Sequence, residues 1–370
     1  MSTETGTDMG MGMGTRMDTG TRMGTAADQG TSASTSASAS TSTGTSASTS
    51  TGTSTSASAS TSTGTSGGRS AGAGSSITLG EVEIIRVVEW EGAFGPARRI
   101  VPEAGIETWQ ADEELLAPHF WEPEGDQWIG ALQTWVLRSG GRTVLVDTNV
   151  GNGRERPSMP MFHHRNTDFL GQLAAAGVRP EDVDVVVNTH LHADHVGWNT
   201  VGQGPGTWVP AFPNATYLMP AADHAHFDPA NGRALRPDDV ALFEDSVAPV
   251  VAAGQAVLWE GEHRIDENLV LEAAPGHTPG SSVLRLASRG ERAVFVGDLL
   301  HSPVQIAHPS HNSCFCEDGA GAAATRHRIL GRAADERELV VPAHFGGPGA
   351  FEVRREAGTF AVRNWAAYGV

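Results

Sequence analysis

The sequence predicts a layered α/β domain over residues 77–370, preceded by a low-complexity tail. Three observations lead there. The composition changes sharply near residue 76. Beyond that point β-branched runs alternate with helix-like stretches. That alternation falls into two similar halves, each beginning with strands and ending in helix-flanked loops rich in His, Asp, Gly and Pro.

Residues 1–76 consist mainly of Ser, Thr, Ala, Gly and Met, with near-repeats such as Thr-Ser-Ala-Ser and Met-Gly. Such a segment lacks the apolar side chains that offset the entropy of ordering, so it is expected to be disordered, either a flexible tether or an unselected extension. It contains no apolar core of a signal peptide, Arg16 and Arg22 do not form a twin-arginine pair, and no later run is long and apolar enough to span a bilayer. The cytoplasm is the expected compartment.

The first strand signals are Ile77–Leu79 and Val82–Val88, followed by an expected loop carrying Pro102, Trp109, His119, Phe120 and Trp121. Strand patterning resumes at Ile129–Leu137 and Thr143–Asp147, joined through Gly140-Gly141, a hairpin signal. Asp168–Ala176 reads as a helix, with Phe169, Leu170 and Leu173 on one face and Gly177 as its stop. The apolar run Val183, Val185, Val186 and Val187 is a buried central strand. Thr216–Met219 is the next strand, leading through Pro220 to helical segments at Ala221–Phe227 and Asp238–Ala253. Further strands are expected near Val257–Trp259, Leu269–Glu272, Ser282–Leu286 and Ala293–Val296. Ala320–Ala334 then reads as a helix and Leu339–Val341 as the last strand.

The net charge of −18 belongs almost entirely to the domain. The tail sets Glu4, Asp8, Asp18 and Asp28 against Arg16, Arg22 and Arg69, a net of −1, which leaves −17. A field of that sign repels phosphate backbones, and the chain has no lysine, so nucleic acid is excluded as a partner and no membrane contact is expected. Cys314 and Cys316 are one residue apart, too close for an unstrained disulfide, so free thiols in a reducing compartment are expected.

Chemistry concentrates after the central strand, in Asn188-Thr189-His190-Leu191-His192-Ala193-Asp194-His195. Imidazoles two residues apart can point the same way, while Asp194 and His195 turn toward a neighbouring position, so one loop can feed two cations. Matching donors recur downstream in similar Gly/Pro settings: His277 in Pro-Gly-His-Thr-Pro-Gly, Asp298 in Val-Gly-Asp, and His344 in Pro-Ala-His-Phe-Gly.

This set, in this order, resembles the metallo-β-lactamase superfamily of metallohydrolases over roughly residues 80–350. The resemblance implies an αββα sandwich with two divalent cations at one edge of the two sheets. His190, His192 and His277 would hold one, Asp194, His195 and His344 the other, and Asp298 would bridge them. Asp194 would also orient the attacking water and handle its proton, and Asp147 would lie beneath the metals as the support of a ligand, unless it merely caps its strand. The donor set suits zinc, with manganese, iron or cobalt as alternatives because ligand type alone does not decide the metal.

Departures from other branches narrow the reading. Asp298 stands where the commonest β-lactamase subclass carries Cys, His192 where flavin-linked di-iron members carry a carboxylate, and no flavodoxin or RNA-processing domain is present. The chain looks most like the branch of N-acyl homoserine lactonases and methyl parathion hydrolase. It is therefore expected to hydrolyse a small lactone, ester or organophosphate. Alternatives are an iron-dependent persulfide dioxygenase or a metal-bound binding module. Aromatic residues between the donor loops would form the pocket, with Trp198 first, then Phe162 and Phe345. His163 and His164 would cap the entrance or sit in solvent, and His301, His308 and His311 would stand outside the ligand set. The partner is a small-molecule substrate, with the oligomeric state left open between monomer and homodimer.

Overall fold

The computed structural model describes residues 75–367, so the expectation for the tail lies outside the described residues except at its last positions. The strands, in chain order, are β1 (Ser76–Leu79), β2 (Val82–Pro96), β3 (Trp121–Glu122), β4 (Gln127–Ser139), β5 (Arg142–Val146) and β6 (Val185–Val187). Next come β7 (Thr200–Gly204), β8 (Thr207–Pro210), β9 (Thr216–Pro220), β10 (Ala256–Trp259), β11 (Glu262–Arg264) and β12 (Leu269–Ala273). The last are β13 (Ser282–Ser288), β14 (Glu291–Gly297), β15 (Leu339–Pro342), β16 (Phe351–Glu356) and β17 (Thr359–Trp365). Among the described residues they form one sheet in the order β1-β2-β4-β5-β6-β9-β10, with β3 beside β4, a second sheet running β11 to β17 in sequence order, and a β7-β8 ribbon.

Period-two alternation makes the layers. In β2, β5 and β6 the side chains of Ile84, Val144, Val185 and Val187 face inward against Leu271, Leu284, Phe295 and Val341 of the second sheet, forming the inter-sheet core. Their neighbours Ile85, Leu145 and Val186 face outward and pack against Phe169 and Leu173 of the helix Phe169–Ala175. The second sheet does the same: Val283, Val294 and Val340 face Ile329 and Leu330 of the helix Gly319–Glu336. The result is helix, sheet, sheet, helix, the αββα sandwich expected from the resemblance.

The centre of each sheet holds parallel pairs, β5 with β6 and β6 with β9 in the first, β14 with β15 in the second. Parallel neighbours end at the same edge. Asp147, the His190–His195 loop, Asp298 and His344 all come just after the C-terminal ends of β5, β6, β14 and β15. His277 comes from the loop between β12 and β13. Two glycines permit the close packing there. Gly297 adopts φ +51 and a Cβ on it would meet Thr189 Oγ1 at 2.7 Å, while one on Gly197 would meet the Val150 carbonyl carbon at 1.9 Å.

Several elements differ from expectation. Residues expected as a loop after β2 form short helices at Ala97–Ile100, Ile106–Ala111 and Glu113–Leu116, which bury Trp109 and Leu116 against the second sheet's helix layer. The helix expected over Asp238–Ala253 is broken by a π-turn at Phe243–Val247. There Asp245 takes a bidentate ion pair from the buried Arg156 at 2.8 and 2.9 Å, and Pro249 supplies no backbone N–H. The ribbon, β11, and the hairpin β16-β17 were not foreseen; the last strand is β17 and not Leu339–Val341.

Candidate metal centre

The seven residues singled out from sequence meet at one point. His190, His192, His277 and Asp298 form one group of donor atoms lying within 4.8 Å of one another, and Asp194, His195 and His344 form a second. His192 Nδ1 lies 3.0 Å from both His190 Nε2 and His277 Nε2. Asp298 joins the groups. Its Oδ2 is 3.2 Å from His277 Nε2 and 3.6 Å from His190 Nε2, whereas its Oδ1 is 3.1 Å from His195 Nε2 and 2.9 Å from His344 Nε2. Asp194 reaches the second group with Oδ2 3.5 Å from His344 Nε2.

These spacings fit cations better than they fit hydrogen bonds. Donors about 2 Å from one tetrahedral ion lie about 3.3 Å apart, the middle of the range seen here. Three imidazole nitrogens converging on one spot cannot all be satisfied by shared protons. His195 Nε2 and Asp298 Oδ1 are buried without a hydrogen-bond partner, which costs free energy unless a charge sits between them. Electrostatics agree. Burial, then the neighbouring imidazoles, hold His190 and His192 well below the usual histidine pKa, which leaves their lone pairs available. Burial would raise the Asp298 carboxyl, but His195, His344 and His301 hold it well below the carboxylate range.

Each station is fixed from outside. Asp147 Oδ2 is 2.8 Å from His195 Nδ1 and accepts from the Thr189 hydroxyl at 2.8 Å, while its Oδ1 accepts from the Thr189 amide at 2.8 Å. It thus fixes His195, a member of the second donor group, from behind. Asp223 was not foreseen. Its buried carboxylate accepts from the Leu191 amide and the Thr278 hydroxyl, both at 2.9 Å, and so ties the His190 loop to the His277 loop. Arg86 and Gln133 donate to the Phe345 carbonyl at 3.0 and 3.1 Å, and His344 Nδ1 lies 2.9 Å from the Ala131 carbonyl, which sets the last loop.

A cavity of about 670 Å³ opens onto the centre, and Asp194, His192, Asp298 and His344 form its floor. Of the expected pocket residues only Phe162 lines it. Trp198 is 5% exposed and packs in the core against Phe169 at 5.4 Å, its indole donating to Glu89 at 2.9 Å. Phe345 is fully buried between Phe120 and Phe351. Both expectations are corrected on that ground. The apolar walls come instead from Phe94, Trp128, Phe227 and Phe315, with Met159 and Met161. Strand alternation could place Phe94 and Trp128 inside or outside, but not at the sheet edge that faces the donors.

His163 and His164 pair with Glu155 away from the cavity, His164 Nε2 being 3.1 Å from the carboxylate. His308 and His311 stack on each other outside the donor set. His301 is different: it is buried, lines the cavity, and brings Nε2 to 3.3 Å from Asp298 Oδ2. It is not in either donor group, yet it touches the residue that joins them. Among the described residues no helix is long and apolar enough to cross a membrane.

Comparison with known proteins agrees with this architecture. The hydrolase AbOPH of the beta-lactamase superfamily superposes with a TM-score of 0.66 at 21% identity, over 80% of this chain and 98% of that one. AidC, a dizinc quorum-quenching lactonase in complex with the product N-hexanoyl-L-homoserine, superposes with a TM-score of 0.66 at 20% identity, over 81% and 99%. A probable metal-dependent hydrolase from Staphylococcus aureus gives 0.63 at 15% identity, over 79% and 100%. At these identities the likeness is one of fold. The family model for the metallo-beta-lactamase superfamily matches residues 130–344, more than half of the sequence and all seven converging donors, and the chain belongs to that superfamily of metallohydrolases.

Proposed function

We propose that this chain is a dinuclear, zinc-dependent hydrolase acting on a small lactone, ester or organophosphate with an apolar substituent. The observation that carries the reading is Asp298, whose two oxygens face two separate donor sets at 2.9–3.6 Å. In this reading His190, His192 and His277 would hold one cation and Asp194, His195 and His344 the second, with Asp298 shared between them. When bound, such a pair polarises a carbonyl or phosphoryl oxygen and acidifies water toward neutrality.

The chain's own groups do the rest. Asp194 lies at the cavity floor, so its carboxylate accepts the proton of the attacking water and passes it to the departing oxygen. His301 Nδ1 is buried without a hydrogen-bond partner at the cavity wall, in reach of a substrate oxygen. Phe94, Trp128, Phe162 and Phe227 offer aromatic surface to an acyl or aryl group and exclude water from it. No Ser or Cys nucleophile is required. The dizinc lactonase with the same fold supports the lactone member of the substrate class and the metal.

The test is one preparation assayed for metal content and for turnover of a chromogenic ester, an acyl lactone and an aryl phosphotriester. The reading predicts about two zinc ions per chain, and hydrolysis of at least one substrate that disappears on chelation and returns with zinc. A single iron per chain with no hydrolysis would contradict it and favour persulfide oxidation.

A further inference from the structure

Each of the four candidate ligand histidines that point Nε2 at the centre rests its Nδ1 on a protein group. His195 Nδ1 meets Asp147 at 2.8 Å, His344 Nδ1 meets the Ala131 carbonyl at 2.9 Å, and His190 Nδ1 meets the Thr189 hydroxyl at 3.2 Å. For His277 the group is a thiol: Cys316 Sγ lies 3.7 Å from Nδ1, a separation suited to the larger sulfur atom. The contact is built by the main chain. Glu317 N donates to the His277 carbonyl at 3.0 Å and Asp318 N to the Gly276 carbonyl at 2.9 Å, so the segment after Cys314 docks on the His277 loop as a unit. Ser313 Oγ approaches the same sulfur at 3.5 Å.

We infer that Cys316 is the positioning residue for His277: the thiol S–H donates to Ser313 Oγ, and the sulfur accepts from His277 Nδ1–H. That hydrogen bond fixes the tautomer in which Nε2 carries the lone pair facing Asp298 and the first cation. The inference rests on the reading of His277 as a ligand. It carries a consequence for chemistry in the cavity. Of the four supports, only Cys316 is both nucleophilic and partly exposed on the cavity wall. A thiol-alkylating molecule that enters the cavity therefore attacks the support of the first site and not that of the second: a C–S bond forms at Sγ, the leaving group departs with its electron pair, and the thiol proton goes to solvent.

The experiment compares full-length wild type, Cys316→Ser and Cys316→Ala, each stripped of metal and titrated with zinc against a competing chelator. The Ala variant should lose about 10–100-fold in affinity for one of two zinc ions, the usual effect of removing an outer partner of a ligand, and keep the other. The Ser variant, which retains an acceptor, should lie closer to wild type, and the melting temperature of all three metal-free proteins should agree. Equal affinities in all three proteins would overturn the proposal, as would weakening of both sites in step with a lower metal-free melting temperature. Histidine nitrogen NMR on zinc-loaded protein gives a second readout: the Nδ1–H resonance of His277 should shift between wild type and Cys316→Ala, and an unmoved resonance would overturn the proposal. Wild type that binds no zinc at the first site would instead contradict the metal-centre reading itself.

Discussion

Asp147 ends its strand with φ +58, a left-handed conformation that Asp tolerates better than most residues, and the bend turns both oxygens toward Thr189 and His195. Asp298, by contrast, sits among five imidazoles. Burial opposes protonation of His195, His277 and His344, but Asp298 and its neighbours raise all three, His277 to about 9. In the metal-free chain the His277 ring thus carries a proton at neutral pH that a cation must displace. Zinc uptake at pH 7 should therefore release protons and tighten as pH rises through about 9, above which the His277 proton no longer competes. Calorimetry in two buffers of different ionisation enthalpy measures the release directly, and zero release would contradict this charge balance. Trp198 obeys a different logic. It fills a buried site and donates to Glu89, so Trp198→Ala should cost about 3–5 kcal/mol of stability and leave KM unchanged. Thermal melts and steady-state kinetics check both halves, and a raised KM at unchanged stability would return Trp198 to the pocket.

The donor loops were legible because most come after a β-branched run that reads as a buried strand, and because the donor residues themselves are rare types in Gly/Pro settings. The elements that were missed lack such punctuation. Helices of four to six residues between Ala97 and Leu116 are shorter than the windows in which a 3.6 period can be seen. Strand β16 hides its Phe351 and Val353 alternation behind Arg354, Arg355 and Glu356. Trp198 misled because it lies so close after His195, yet the turn at Gly197–Asn199 carries it to the outer face of the sheet. Asp223 was invisible for another reason: it lies in a short helix with no donor motif, and its importance comes from two loops that meet only in three dimensions. Asp223→Ala should leave Leu191 N and Thr278 Oγ1 without their acceptor and loosen both donor loops together. Zinc affinity should fall by about 10–100-fold, checked by chelator competition, and undiminished affinity would reduce Asp223 to a local cap.

Across the whole molecule, the two halves contribute unequal but complementary parts of one centre. The first supplies His190, His192, Asp194 and His195 from a single loop, and the second supplies His277, Asp298 and His344 from three. Among the described residues Asp298 is the one group whose oxygens face both donor sets, and in the dinuclear reading its charge would offset the mutual repulsion of the two cations. The most direct measurement is metal stoichiometry by mass spectrometry on purified Asp298→Ala, with the exposed His327→Ala as control. Asp298→Ala should fall from about two metals per chain to one or none, with turnover reduced by several orders of magnitude, while His327→Ala keeps both. Two metals retained in Asp298→Ala, with only a lower melting temperature, would contradict the bridging role and the dinuclear centre with it.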